Sequence, residues 1–287
     1  MEKGDDMSHK ANPVQPPVVA NPINISTLNP NNVCLYYGIN DYPGTNNDLQ
    51  GCVNDATDWC DFLVSTHKFN ATLLRNNEAT KANVVNALKD MASKSHPLTN
   101  FVFGYSVHGS NVADKNGDEA DGRDECLCLY DQFLIDDELR ALLDAFHPQA
   151  KITVISDSCH SGSNTRAFMA LLNAGNDVYA KPKFLPPEDN LEASIASNPF
   201  IKGDTELLMN EVLLSGCSPT EFSYDARING RYNGAMTWNA LNILKQTPSI
   251  TFVEFHSKLR KVLPNGSWPQ SPSLEGKPEN KNRLMFV

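Results

Sequence analysis

Cys159 stands just past an apolar run, Ile152-Thr153-Val154-Ile155, that continues through Ser156, Asp157 and Ser158. Four β-branched residues in succession read as a strand buried on both faces of a parallel sheet. The small polar residues that follow, His160-Ser161-Gly162-Ser163, cannot continue it. A second stretch of the same shape, NFVFGYSVHGS over 100–110, ends on His108-Gly109. A thiol attacks a carbonyl as the thiolate, and unperturbed it titrates near ~8.5. A histidine beside it can take that proton and later give one to a leaving amine. Backbone N–H groups at such strand ends are natural donors to the oxyanion that forms. Taken singly, a buried cysteine is more often inert packing and a buried histidine a satisfied core residue. Two strand ends of one sheet rim, where open α/β folds bind ligands, favour the chemistry.

The surrounding pattern supplies the sheet. Val33 to Gly38 and Thr72 to Arg75 read as strands, and a helical pattern runs from Cys52 to Thr66. Thr80 opens a helix through Val84, Leu88 and Met91. The stretch 111–125, NVADKNGDEADGRDE, reads as an acidic loop, followed by a strand over 127–131. Asp136 and Asp137 precede a helix, where acidic residues suit the dipole. Glu211 to Gly216 resumes as a strand, helices follow over 235–245 and 252–263, and a last edge strand is expected around 284–287. Strands alternating with helices predict an α/β fold with a doubly wound, mostly parallel sheet.

Four stretches in order carry a family resemblance: YYGINDYPGTNNDLQGCVNDA (36–56), YSVHGS (105–110), DGRDE with LIDDEL (121–139), and DSCHSGS (157–163). The chain resembles the metacaspase-type, caspase-like cysteine peptidases, in which the histidine lies about 50 residues before the cysteine. After Ser163 the likeness thins, although LLSGC (213–217) and NGRYNGAMTWNAL (229–241) resemble the small-subunit part of bacterial relatives. The resemblance implies a caspase-like three-layer sandwich over 32–287. Its large-subunit-like part would cover 32–163, an irregular connection 164–205, and a small-subunit-like part 206–287. It implies a covalent acyl-enzyme on Cys159, with His108 as acid and base and Gly109 and Cys159 N–H groups as oxyanion donors. Two departures stand out: Val107 replaces the glycine usual before the histidine, and Asp157-Ser158-Cys159 differs from the Gln-Ala-Cys of caspases proper.

The resemblance also sets specificity. Metacaspases cut after Arg or Lys, and their pocket positions match Cys52, Asp55, Ser106 and Asp157. Two carboxylates in one buried cleft need a cation, which a substrate Arg or Lys supplies. Taken alone, Asp55 reads as a helix-start acid and Asp157 as a strand-end acid. Calcium is the one cofactor implied, as an activator held by Asp124, Asp136 and Asp137; the chemistry itself needs none. A fourth aspartate, expected after CHSGS, is missing, since Asn164, Thr165 and Arg166 stand there. Helix capping explains the Asp pair nearly as well. Other classes stay open: a catalytically silent interaction module, or a legumain- or gingipain-like hydrolase with another P1 preference.

Bulk properties narrow the rest. The chain has 287 residues, 40% apolar, with a net charge of −10, which disfavours nucleic-acid and anionic-membrane partners. Seven cysteines with no CxxC pair, no leader-like apolar start and no long apolar run suggest a reducing cytoplasm and a monomer acting on proteins or peptides. Residues 1–31, rich in Pro and Asn, read as a flexible lead, with a pro-segment across the active site as the alternative. The connection 164–205 carries Arg166, Lys181, Lys183 and Lys202, all of the expected P1 type, so self-cleavage there is an expectation.

Overall fold

The computed structural model describes residues 28–44, 46–113, 123–159, 180–185, 209–219 and 221–287. In chain order the elements are β1 (Asn32–Gly38), α1 (Cys52–His67), β2 (Asn70–Arg75), α2 (Lys81–Ser93), β3 (Asn100–Ser106), β4 (Gly109–Ala113), β5 (Arg123–Cys128), β6 (Phe133–Ile135), α3 (Asp136–Asp144) and β7 (Lys151–Asp157). Then come β8 (Ala180–Pro182), β9 (Glu211–Ser215), β10 (Tyr224–Ile228), β11 (Arg231–Gly234), α4 (Ala235–Gln246), α5 (Phe252–Leu259), β12 (Ser273–Glu275) and α6 (Pro278–Lys281).

Six strands form the central sheet in the order β12-β9-β7-β3-β1-β2. All pairs are parallel except β12 with β9. Parallel neighbours need crossovers, and helices provide them between β1 and β2, β2 and β3, and β3 and β7. One face packs Trp59, Leu63, Leu241 and Phe252 of α1, α4 and α5. The other packs Val84 and Leu88 of α2 with Phe101, Phe103 and Leu143. The result is the expected three-layer α/β sandwich. Covered on both sides, β3 is buried along its whole length. Thr80 caps α2 by accepting from Asn83 N–H (3.2 Å), as its place before the helix suggested.

Several expectations need correction. The stretch read as an acidic loop, 111–125, contains the end of β4 and the start of β5, which with β6 make an antiparallel sheet; 114–122 lie outside the described residues. Asp136 and Asp137 are the first residues of α3, not its preface. The edge strand at the chain's end is β12, while Leu284 makes only an isolated bridge to Thr251. Within the 164–205 connection, β8 pairs with β10, which pairs in turn with β11. Residues 1–27, with most of the expected flexible lead, and Arg166 and Lys202 also lie outside the described residues. All seven cysteines are free and buried. Among the described residues no helix is long and apolar enough to cross a membrane.

Candidate active site

Register positions the two reactive residues. β3 and β7 pair with Ser106 opposite Asp157, so His108 and Cys159 each leave the sheet two residues beyond a matched pair. Gly109 passes so close to Cys159 that a Cβ there would collide with the Cys159 carbonyl. His108 is buried and its Nε2 lies 2.7 Å from the Asn47 carbonyl, which can only accept. The ring proton therefore sits on Nε2, and Nδ1, which has no hydrogen-bond partner among the described residues, keeps its lone pair. Burial lowers the His108 pKa to about 4, so the imidazole is neutral near pH 7. Tyr42 fixes its place: its ring centroid lies 4.8 Å from that of His108, and its hydroxyl accepts from His108 N–H at 2.9 Å. Val107, in place of the usual glycine, is fully buried in the apolar core.

The Cys159 thiol is turned towards Ser223. Sγ accepts from Ser223 N–H at 3.0 Å and lies 3.5 Å from the Ser223 carbonyl. Cys159 shares a small apolar cluster with Phe184, Phe222 and Tyr224. Base and thiol thus occupy neighbouring strand ends without a hydrogen bond between them.

All four expected pocket residues meet at one buried point, and a lysine fills it. Lys183 Nζ lies 3.1 Å from Asp55 Oδ2 and 3.0 Å from Asp157 Oδ1, and donates to Ser106 Oγ at 2.8 Å. Three acceptors match the three donors of an ammonium. Ser106 Oγ donates to Asp55 Oδ2 at 2.8 Å, and Cys52 packs beside it as the first residue of α1. Burial opposes the charge on Lys183, but Asp157 and Asp55 outweigh it and hold its pKa well above the usual lysine range. Burial also pushes both carboxyls up. In Asp157 the nearby Lys183 and bonds from Ser223 and Thr237 win, and its pKa falls below the ordinary value. Asp55 ends at about 6, with Asp157 repulsion adding to burial.

The rest of that segment lies along the cleft. The Lys183 carbonyl accepts from Gly109 N–H at 3.0 Å and from Cys159 N–H at 3.3 Å. Lys183 N–H donates to the Ser223 carbonyl (2.9 Å), and Leu185 N–H donates to the Gly109 carbonyl (2.9 Å). The expected oxyanion donors thus both reach one peptide carbonyl, that of the residue whose side chain fills the acidic pocket.

Residues not foreseen complete the pocket. Asp157 accepts from Ser223 Oγ at 2.5 Å and Thr237 Oγ1 at 2.6 Å. Asp55 accepts from Asn233 Nδ2 at 3.0 Å and Gly234 N–H at 2.8 Å. At Gly234 a Cβ would run into Asp157 and Lys183 Nζ, so glycine keeps the pocket open. All four lie after residue 222; the only sequence signal for them was the likeness over 229–241, and nothing marked Ser223.

The calcium set is only partly assembled. Asp124 is buried on β5, and Asp136 and Asp137 open α3; burial, then Asp137 and Asp124, raise Asp136 to about 6. Among the described residues no group of three or more His, Cys, Asp or Glu side chains is arranged to hold a metal ion. Calcium takes six to eight oxygens, so these residues alone do not fit it. Asn164 to Arg166 lie outside the described residues.

Comparison with known proteins finds similar sequences and a similar fold. Residues 33–167 match the family model described as metacaspase, peptidase C14 domain. The chain is 27% identical to a metacaspase-1 of Scheffersomyces stipitis, over 88% of this chain and 72% of that one. It is 28% identical to a metacaspase-1 of Schizosaccharomyces pombe, over 87% of this chain and 68% of the relative. The crystal structure of protein GSU0716 from Geobacter sulfurreducens superposes with a TM-score of 0.69 at 28% identity, covering 90% of this chain and 99% of that one.

Proposed function

We propose, on the premise that residues 33–167 form a metacaspase-type, caspase-like cysteine-peptidase domain, that this chain is an endopeptidase cleaving after Lys or Arg. His108 Nδ1 takes the Cys159 proton once the thiol turns from Ser223, and the thiolate attacks the P1 carbonyl carbon. Gly109 and Cys159 N–H groups receive the oxyanion. The imidazolium protonates the departing amine, and water then releases the acyl group from sulfur. The observation that carries this reading is Lys183, whose ammonium sits between Asp55 and Asp157 while its carbonyl accepts from Gly109 and Cys159. Side chain and carbonyl of one residue thus occupy the positions a P1 residue would take.

Protein or peptide substrates with a cationic P1 follow from it. Catalysis needs no metal in this scheme; calcium, if bound by Asp124, Asp136 and Asp137 with further ligands, would act by ordering the nearby loop. The test is a set of fluorogenic peptides differing only at P1. Cleavage of Lys and Arg peptides over Asp and Asn peptides is expected, with Cys159→Ala inactive. Preference for Asn would mark a legumain-like hydrolase, and no cleavage of any peptide a silent module.

A further inference from the structure

We infer that the cleft selects substrates beyond P1, for a cation at P3 and an aromatic or large apolar residue at P1′; this deepens, and rests on, the reading of Lys183 as a P1 mimic. With Lys183 at P1, Lys181 falls at P3, Pro182 at P2 and Phe184 at P1′. Each meets a surface built by residues outside the segment.

At P3 the Lys181 ammonium donates to the Asp48 carbonyl at 2.9 Å and the Asn46 carbonyl at 3.3 Å. Its strand partner across β8 and β10 is Asp225. Asp225 is buried, with Oδ2 accepting from Gln50 N–H at 2.6 Å and Oδ1 lying against the Gly51 backbone. Burial opposes the charge on Asp225, and the Lys181 ammonium beside Asp48 and Asp225 offsets part of that cost. Two carbonyls and the Asp48 and Asp225 carboxylates therefore make a half-buried acidic seat, separate from the P1 pocket. Charge makes this seat selective: a P3 carboxylate would face the same groups with the opposite sign.

At P2, Pro182 lies opposite Tyr224, whose N–H is committed to Gln270 Oε1 at 3.2 Å. Pro182 has no N–H to lose there, so proline is tolerated in an added strand. At P1′, Phe184 is 5% exposed and tilts against Phe222 with ring centroids 6.0 Å apart. Cys159 and Tyr224 complete that cluster. Burying an aromatic ring is favoured over leaving it exposed, enough to sort P1′ residues. Leu185, at P2′, lines an apolar cavity of ≈ 240 Å³ with Tyr42, Leu129 and Phe133.

The experiment uses the full-length chain and synthetic peptides of the sequence over 178–187, VYAKPKFLPP. The parent peptide should be cut between Lys and Phe. Replacing its P3 Lys by Glu, or its P1′ Phe by Asp, should each lower kcat/KM by about tenfold or more. In the enzyme, Asp48→Asn and Asp225→Asn should each narrow the ratio between P3-Lys and P3-Glu peptides while leaving the P1′ ratio in place. If the parent is cut but both replacements change kcat/KM by less than about twofold, the extended preference is wrong and the P1 reading stands. If no P1-Lys peptide is cut, both fall together.

Discussion

The carbonyl oxygen of Lys183 lies 3.3 Å from the backbone nitrogen of Cys159, within the same chain. On the proposed reading, the bond offered to the thiol, once it turns from Ser223, is Lys183–Phe184. Of the two expected self-cleavage points among the described residues, Lys181 and Lys183, it is Lys183 whose ammonium reaches both Asp55 and Asp157. Mass spectrometry of the active protein should find a new amino terminus at Phe184. Cys159→Ala and Lys183→Gln should both remain uncut there. Full activity in a chain that stays uncut at this bond would make the segment a displaceable occupant instead.

Removal of either reactive group should separate chemistry from folding. Cys159→Ala should abolish cleavage, and His108→Ala should lower kcat by on the order of 10²–10⁴. Both proteins should keep a cooperative melting transition. Substantial turnover in Cys159→Ala would remove Cys159 from its role.

The pocket predicts a graded series. Asp157→Ala removes the carboxylate that holds its charge most firmly and should reduce kcat/KM for P1-Lys peptides by about a hundredfold or more. Thr237→Val deletes one hydroxyl donor to that carboxylate and should cost less, about tenfold. Equal losses in the two variants, measured with the same peptide, would argue for general damage.

Asp55 sets a pH dependence. Its pKa of about 6 holds with an ammonium beside it. Without that cation, burial and Asp157 leave it higher still, so binding a cationic P1 must remove any proton it carries. Affinity is full above the empty-pocket value, weakens as pH falls through it, and levels off below about 6. 1/KM for a P1-Lys peptide should trace that limb in the self-cleaved enzyme, and Asp55→Asn should flatten it. A wild-type 1/KM constant from about pH 5.5 to 8 would contradict this assignment.

Calcium dependence should be weak. With Asp124, Asp136 and Asp137 short of a full ligand set among the described residues, half-activation is expected only at about 10⁻⁴ M calcium or above. Titrating peptidase activity after chelation tests it. Activity untouched by chelator, in wild type and in the double variant Asp136→Ala and Asp137→Ala, would make these aspartates structural.

How far the sequence announced this site follows from which contacts are local. His108 and Cys159 were legible because parallel pairing keeps register, and each follows a readable apolar strand. Asp55, Ser106, Asp157 and Cys52 were reachable through motif likeness and charge logic. Ser223, Asn233, Gly234 and Thr237 were not, since their bonds to Asp55 and Asp157 span 66 to 179 residues of chain. Nor did anything near Lys183 mark it out from Lys181; pairing of β8 with β10 decides which of them points into the pocket. The hairpin β4–β5 was hidden by acidic composition, which mimics a solvated loop even though Asp124 is buried.

Ser223 touches three parts of the machinery at once: its N–H meets Cys159 Sγ, its carbonyl receives Lys183 N–H, and its hydroxyl holds Asp157. It belongs to the piece that a cut at Lys183–Phe184 would sever from the nucleophile. That piece also contributes β9, which is hydrogen-bonded between β7 and β12 inside the main sheet. A nicked enzyme is therefore an obligate heterodimer folded from one chain. Its two fragments should copurify, and neither alone should assemble a working site. Its loss of activity in denaturant should depend on protein concentration, as it would not for the intact chain.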